Sequence, residues 1–122
     1  MAQKSTGFAS PAQGYEEEGI DLNRLLIRNP PATIIVRLDS GDMEELGLKR
    51  GALLVVDRSK IPAANTLVMI RHEGRFLCRL MARHEGLTVF TNGVSDIIPA
   101  DDETEIIGTI TASINTYYDN AH

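Results

Sequence analysis

Ile34-Ile35-Val36-Arg37-Leu38-Asp39-Ser40-Gly41-Asp42-Met43, continuing through Glu44-Glu45-Leu46-Gly47-Leu48-Lys49-Arg50-Gly51 to Ala52-Leu53-Leu54-Val55-Val56-Asp57, is the stretch that decides the fold. It holds two β-branched apolar runs separated by a polar corner. Runs of Val and Ile this short suit buried strands better than helices, so strands are expected over 34–38 and 52–56. Gly41, Gly47 and Gly51 are expected to supply the backbone freedom of the connection. A strand that ends by presenting Ser and Asp side chains is a place for chemistry, and equally an ordinary β connection. From the residues alone both readings stay open.

Working outward, the same pattern recurs downstream. Strands are expected over 66–71 and 75–82, joined by the hairpin turn His72-Glu73-Gly74, and over 87–91 after a second turn, His84-Glu85-Gly86. The run 106–115 alternates, which places Ile106, Gly108, Ile110, Ala112 and Ile114 on one face of a long half-buried strand. Upstream, Leu22, Leu25 and Leu26 recur at helical spacing behind a capping Asp21, and Asn29-Pro30-Pro31 ends that short helix. Residues 1–19 are small, polar or acidic and read as a flexible arm, with Glu16-Glu17-Glu18 as a solvated run. The expected organisation is an arm (1–19), one mainly β, antiparallel domain (20–118) and a short tail (119–122).

Composition narrows the function classes. A chain of 122 residues carries one core, and its net charge of −5 argues against holding a nucleic-acid backbone by overall field. The single cysteine, Cys78, forms no internal disulfide and fits a reducing cytoplasm. No apolar run reaches the roughly 18–20 residues of a membrane span, and the polar beginning is unlike a signal peptide. His72, His84 and His122 lack the spacing of a zinc site and are expected to be solvated. No phosphate-binding loop is present, and Phe8, Phe76 and Phe90 are too scattered to stack bases, so no cofactor or metal is expected. Met43 and Met81 read as core filler, and Cys78 as a small core residue unless electropositive surroundings activate its thiol.

Arm, helix and corner together resemble the LexA/UmuD autopeptidase family, in its UmuD-like branch. The residues that carry the resemblance are Gly7-Phe8-Ala9-Ser10-Pro11-Ala12, Ile20-Asp21-Leu22-Asn23-Arg24-Leu25-Leu26-Ile27, the Ser40-Gly41-Asp42-Met43 corner, Gly47, Gly51, Leu53-Leu54-Val55-Val56-Asp57 and Gly74-Arg75-Phe76. They span nearly the whole chain. The resemblance implies a curled, antiparallel β domain of the LexA/UmuD/signal-peptidase type with one short N-terminal helix, and a homodimer. It further implies a serine before the corner Met that attacks a bond in the protein's own arm, and a lysine on a later strand as base. The cleavage-equivalent position falls at Thr6 and Gly7, so the chain resembles the processed form.

The two dyad positions depart from that pattern. Asp42 stands where the family has its serine, and Arg79 falls where it has its lysine. A lysine near pKa 10.4 reaches neutrality at pH 7 for about 4–5 kcal/mol, within the range that burial supplies. A guanidinium starts well above a lysine ammonium and needs about 8 kcal/mol or more, so it stays cationic and takes no proton. An aspartate and an arginine facing each other make a bidentate ion pair instead. Ser40, two residues before the nucleophile position, is a weak alternative nucleophile and otherwise a turn serine bonding its own backbone.

The function that the resemblance implies is an inactive, UmuD-like accessory protein of SOS mutagenesis that binds and regulates an error-prone translesion polymerase of the UmuC type. An active serine autopeptidase using Ser40, responding to a RecA filament, is one alternative. A decoy that heterodimerises with an active UmuD- or LexA-like protein is the other. Direct sequence-specific binding to DNA and attachment to a membrane are not expected.

Overall fold

The two apolar runs around the corner pair with each other. In the computed structural model of the chain, which describes residues 19–117, β1 (Thr33–Arg37) and β2 (Leu53–Asp57) run antiparallel, with Ile34 opposite Val56 and Val36 opposite Leu54. Five more strands follow: β3 (Thr66–His72), β4 (Arg75–His84), β5 (Leu87–Thr91), β6 (Ile97–Pro99) and β7 (Thr104–Ile114). All seven form one sheet in the order β1-β2-β7-β3-β4-β5-β6, and every pairing is antiparallel. The fold is thus mainly β, and among the described residues it has one short α-helix, α1 (Leu22–Leu26), capped by the Asp21 carboxylate at 3.3 Å from the Arg24 amide. No helix among the described residues is long and apolar enough to cross a membrane.

β7 is the last strand in sequence but lies in the middle of the sheet, joining the β1–β2 pair to the β3–β6 meander. Apolar side chains gather in two clusters. Leu38, Met43, Leu54, Val56, Met69 and Cys78 form part of one, under the corner, and Val68, Ile70, Phe90 and Ile98 form the other. The consecutive buried residues of β2 (54–57) and β3 (68–70) follow from the central or near-central places of these strands in the sheet, where both faces are covered.

The two His-Glu-Gly turns adopt one geometry. Glu73 and Gly74 have φ of 52° and 80°, and Glu85 and Gly86 have φ of 53° and 82°. Two consecutive positive φ values make a two-residue hairpin loop of the kind that prefers Asn-Gly, since glutamate tolerates that region poorly. Glu85→Asn is therefore expected to raise stability by about 0.5–1 kcal/mol in urea denaturation. An unchanged or lower midpoint would count against this account of the turn.

Several expectations need correction. β6 was not foreseen, because a three-residue run ending in Pro99 gives no period; as an edge strand it tolerates the proline. Ile106 does not share the buried face with Gly108 and Ile110. A register shift between Met69 and Ile70 leaves Ile107 as an extra residue, so Ile107 packs on the core and Ile106 is 39% exposed. Gly47 and Gly51 both have φ of 91°, but Gly41 has no positive φ, so the corner itself makes no such demand there. The helix buries none of its residues, leaving Leu22 and Leu25 mostly exposed. His72 is not solvated: its ring is largely covered and its Nδ1 lies 2.9 Å from the Thr104 hydroxyl.

Candidate functional site

The corner between β1 and β2 is held by its backbone. The Leu38 amide donates to the Ala52 carbonyl at 2.9 Å, the Gly51 amide to the Leu38 carbonyl at 2.7 Å, and Arg50 Nη1 to the Asp39 carbonyl at 2.6 Å. Met43, fully buried, anchors the far side, and its carbonyl accepts from the Leu46 and Leu48 amides. Ser40 and Asp42 are therefore presented from a fixed loop between a strand end and a buried methionine.

Arg79 approaches from β4. Its side chain is 5% exposed, and its Nη2 lies 3.2 Å from Asp42 Oδ2. Ser40 donates its hydroxyl to Asp42 Oδ1 at 2.6 Å. The three residues singled out in the sequence, Ser40, Asp42 and Arg79, are thus brought together. Thr6 and Gly7 lie outside the described residues.

A fourth residue, Asp96, escaped the sequence reading. Arg79 Nε and Nη2 both donate to Asp96 Oδ2, at 3.1 and 2.7 Å, while Nη1 donates to the Cys78 carbonyl at 2.7 Å. The register explains the meeting. Leu80 pairs with Thr91, so β5 ends level with Arg79 and the chain turns off there into the 92–96 loop. The Asn92 side chain accepts the amides of Val94, Ser95 and Asp96 at 3.0–3.2 Å, which shapes that loop without help from Arg79. The sequence signal was the Asn-Gly step four residues before an aspartate; it marked a turn but not the partner of its carboxylate.

Ser40, Asp42 and Arg79 border a cleft of about 530 Å³ whose apolar lining includes Ile34, Val36, Leu54 and Met69, with the largely exposed ring of Phe76 at its margin. Partial burial pushes the Asp42 carboxyl up, but the Ser40 hydrogen bond and the Arg79 charge outweigh it and hold it below the usual 3.8. Such a carboxylate is a weak acceptor for the Ser40 proton. The guanidinium offers no lone pair at all. The arrangement sets charge against charge, with the Ser40 hydroxyl bound to the same carboxylate that faces Arg79.

Cys78 is buried beside this cluster, and burial drives its thiol up to about 11 although Arg79 pulls the other way. Alkylation of the native protein by iodoacetamide at pH 8 is expected to be roughly 100-fold slower than after unfolding in urea. Equal rates would show that the thiol is open to solvent.

Comparison with known proteins agrees with the fold. The sequence pattern of the family described as peptidase S24-like matches residues 1–111. Protein SamA of Salmonella typhimurium is 34% identical over 109 residues, covering 89% of this chain and 78% of that protein. Protein MucA of Escherichia coli is 34% identical over 114 residues, covering 90% and 78%. Protein ImpA of Escherichia coli is 40% identical over a shorter stretch of 78 residues, 63% of this chain and 54% of its own. With a family match across most of its length and relatives that share a third of its residues, the chain belongs to the peptidase S24-like family, within its UmuD-like branch.

Proposed function

We propose that this protein is a UmuD-like accessory factor of SOS mutagenesis that binds and regulates an error-prone translesion polymerase and does not cut peptide bonds. The reading takes Asp42 and Arg79 as the substituted serine and lysine positions of the family's dyad. What supports it is one contact: a carboxylate 3.2 Å from a guanidinium where a hydroxyl and a neutral amine are required. Kinship with SamA and MucA supports the mutagenesis context, and the polymerase partner and the homodimer are carried over from the family resemblance as part of the proposal.

Two experiments test the two halves. Affinity capture of the tagged protein from its DNA-damaged source cell is expected to retain a UmuC-type polymerase; a homologous peptidase or repressor retained in its place would favour the decoy reading. Incubation with an activated RecA filament, and separately at alkaline pH, is expected to leave the chain intact. A product beginning at Gly7 that disappears in Ser40→Ala would overturn the inactive reading.

A further inference from the structure

We propose that Asp96 is the residue that holds Arg79 in the cleft, and that it forms a third obstacle to serine–lysine chemistry besides Asp42 and Arg79 themselves. The geometry ranks the two carboxylates. Asp96 Oδ2 accepts from both Nε and Nη2 of Arg79, at 3.1 and 2.7 Å, whereas Asp42 Oδ2 stands opposite Nη2 alone at 3.2 Å. Charge-assisted bonds weaken with distance and alignment, so the doubly bonded carboxylate dominates.

The two acids also differ in how they are held. Asp42 divides its carboxylate between Arg79 and the Ser40 hydroxyl. Asp96 sits at the end of a loop closed by Asn92, whose side chain takes three consecutive amides and whose own amide donates to the Asp96 carbonyl at 3.2 Å. Gly93, at φ 88°, presses that loop against Leu46, where a Cβ would lie 3.0 Å from a methyl group. The carboxylate of Asp96 is therefore presented by structure that is complete before Arg79 arrives.

The groups that face position 79 are Asp42 from the corner, Asp96 from the loop, and Cys78 from the same strand. An ammonium placed at 79 would meet the same two carboxylates and stay protonated. Changing Asp42 and Arg79 alone would remove one of them and leave Asp96. The second half of this inference rests on the reading of positions 42 and 79 given above; the first half does not.

The direct test follows the Arg79 Nε–H signal by ¹⁵N NMR in the wild-type chain, Asp96→Ala and Asp42→Ala. Exchange with water is expected to rise at least tenfold in Asp96→Ala and less than threefold in Asp42→Ala. Equal rates, or the reverse order, would overturn the proposal. A second measurement compares Asp42→Ser/Arg79→Lys with Asp42→Ser/Arg79→Lys/Asp96→Asn, titrating the amine introduced at 79. Its midpoint is expected to fall by at least one pH unit when Asp96 is neutralised, and an unchanged midpoint would overturn the claim of a third obstacle. Loss of polymerase capture would defeat the proposed function and leave both of these outcomes as they are.

Discussion

Arg79→Ala is expected to lower the free energy of unfolding by about 3–5 kcal/mol, the range for breaking a buried ion pair from one side. The guanidinium is almost fully enclosed and donates to Asp96 and the Cys78 carbonyl while facing Asp42. Its removal leaves two carboxylates facing a void and a backbone carbonyl without its donor. Part of the deficit is relieved by water, because the Asp42 and Asp96 side chains are 38% and 41% exposed. Asp42→Ala is accordingly expected to cost far less, about 1 kcal/mol, since Arg79 keeps Asp96. Urea denaturation of both variants checks the ordering. An Arg79→Ala loss below 1 kcal/mol would show that the cluster contributes little to the fold.

The same contacts predict a pH dependence. The folded-state carboxyl of Asp42 lies below its ordinary 3.8, so its ionised form is favoured by folding. That contribution is present above the unfolded value and fades as pH falls through the folded one. The stability gap between wild type and Asp42→Asn should therefore be widest near neutral pH and narrow below about pH 4. A gap that stays constant from pH 7 to pH 3 would remove Asp42 from the linkage.

Gly108→Ala is the other change with a large expected effect, about 2–3 kcal/mol. A Cβ at position 108 would lie 2.8 Å from Val56 Cγ1, 3.1 Å from the Asp57 carbonyl and 3.3 Å from the Arg58 Cα. Two of those neighbours are backbone, so the strain has nowhere to go but the strand pairing. Gly108 lies where β7 passes between β2 and β3, opposite Met69 and next to the register shift. Relief would push the corner-bearing β1–β2 pair away from the strands that carry Arg79. Gly108→Ala is thus expected to speed Arg79 Nε–H exchange as well as lower the urea midpoint. A variant as stable as the parent would mean that β2 sits farther from β7 than the structure has it.

Much of this molecule was legible because its signals are local. The hairpin turns announced themselves through Glu-Gly steps between apolar runs, and the strand runs through β-branched clusters. The short helix was marked by an aspartate cap and two prolines. What failed did so where a second strand intervened. Period-2 alternation through β7 put Ile106 inside, and a single inserted residue opposite β3 turned it outward. Asp96 was missed for a related reason. Its turn chemistry is local, but its partner is chosen by where β5 happens to end beside β4.

By itself the sequence determined a mainly antiparallel β fold of the UmuD-like kind, and it singled out an acid, Asp42, and a guanidinium, Arg79, from distant parts of the chain. Only the tertiary structure decided that these two charges meet, that a second aspartate holds the cation more firmly than the first, and that β7 lies between the two halves of the site. The physical reason is one of range. Propensity, capping and turn preference act over a few residues, whereas an ion pair within a cleft depends on strand order and register, which every pairing in the sheet sets together.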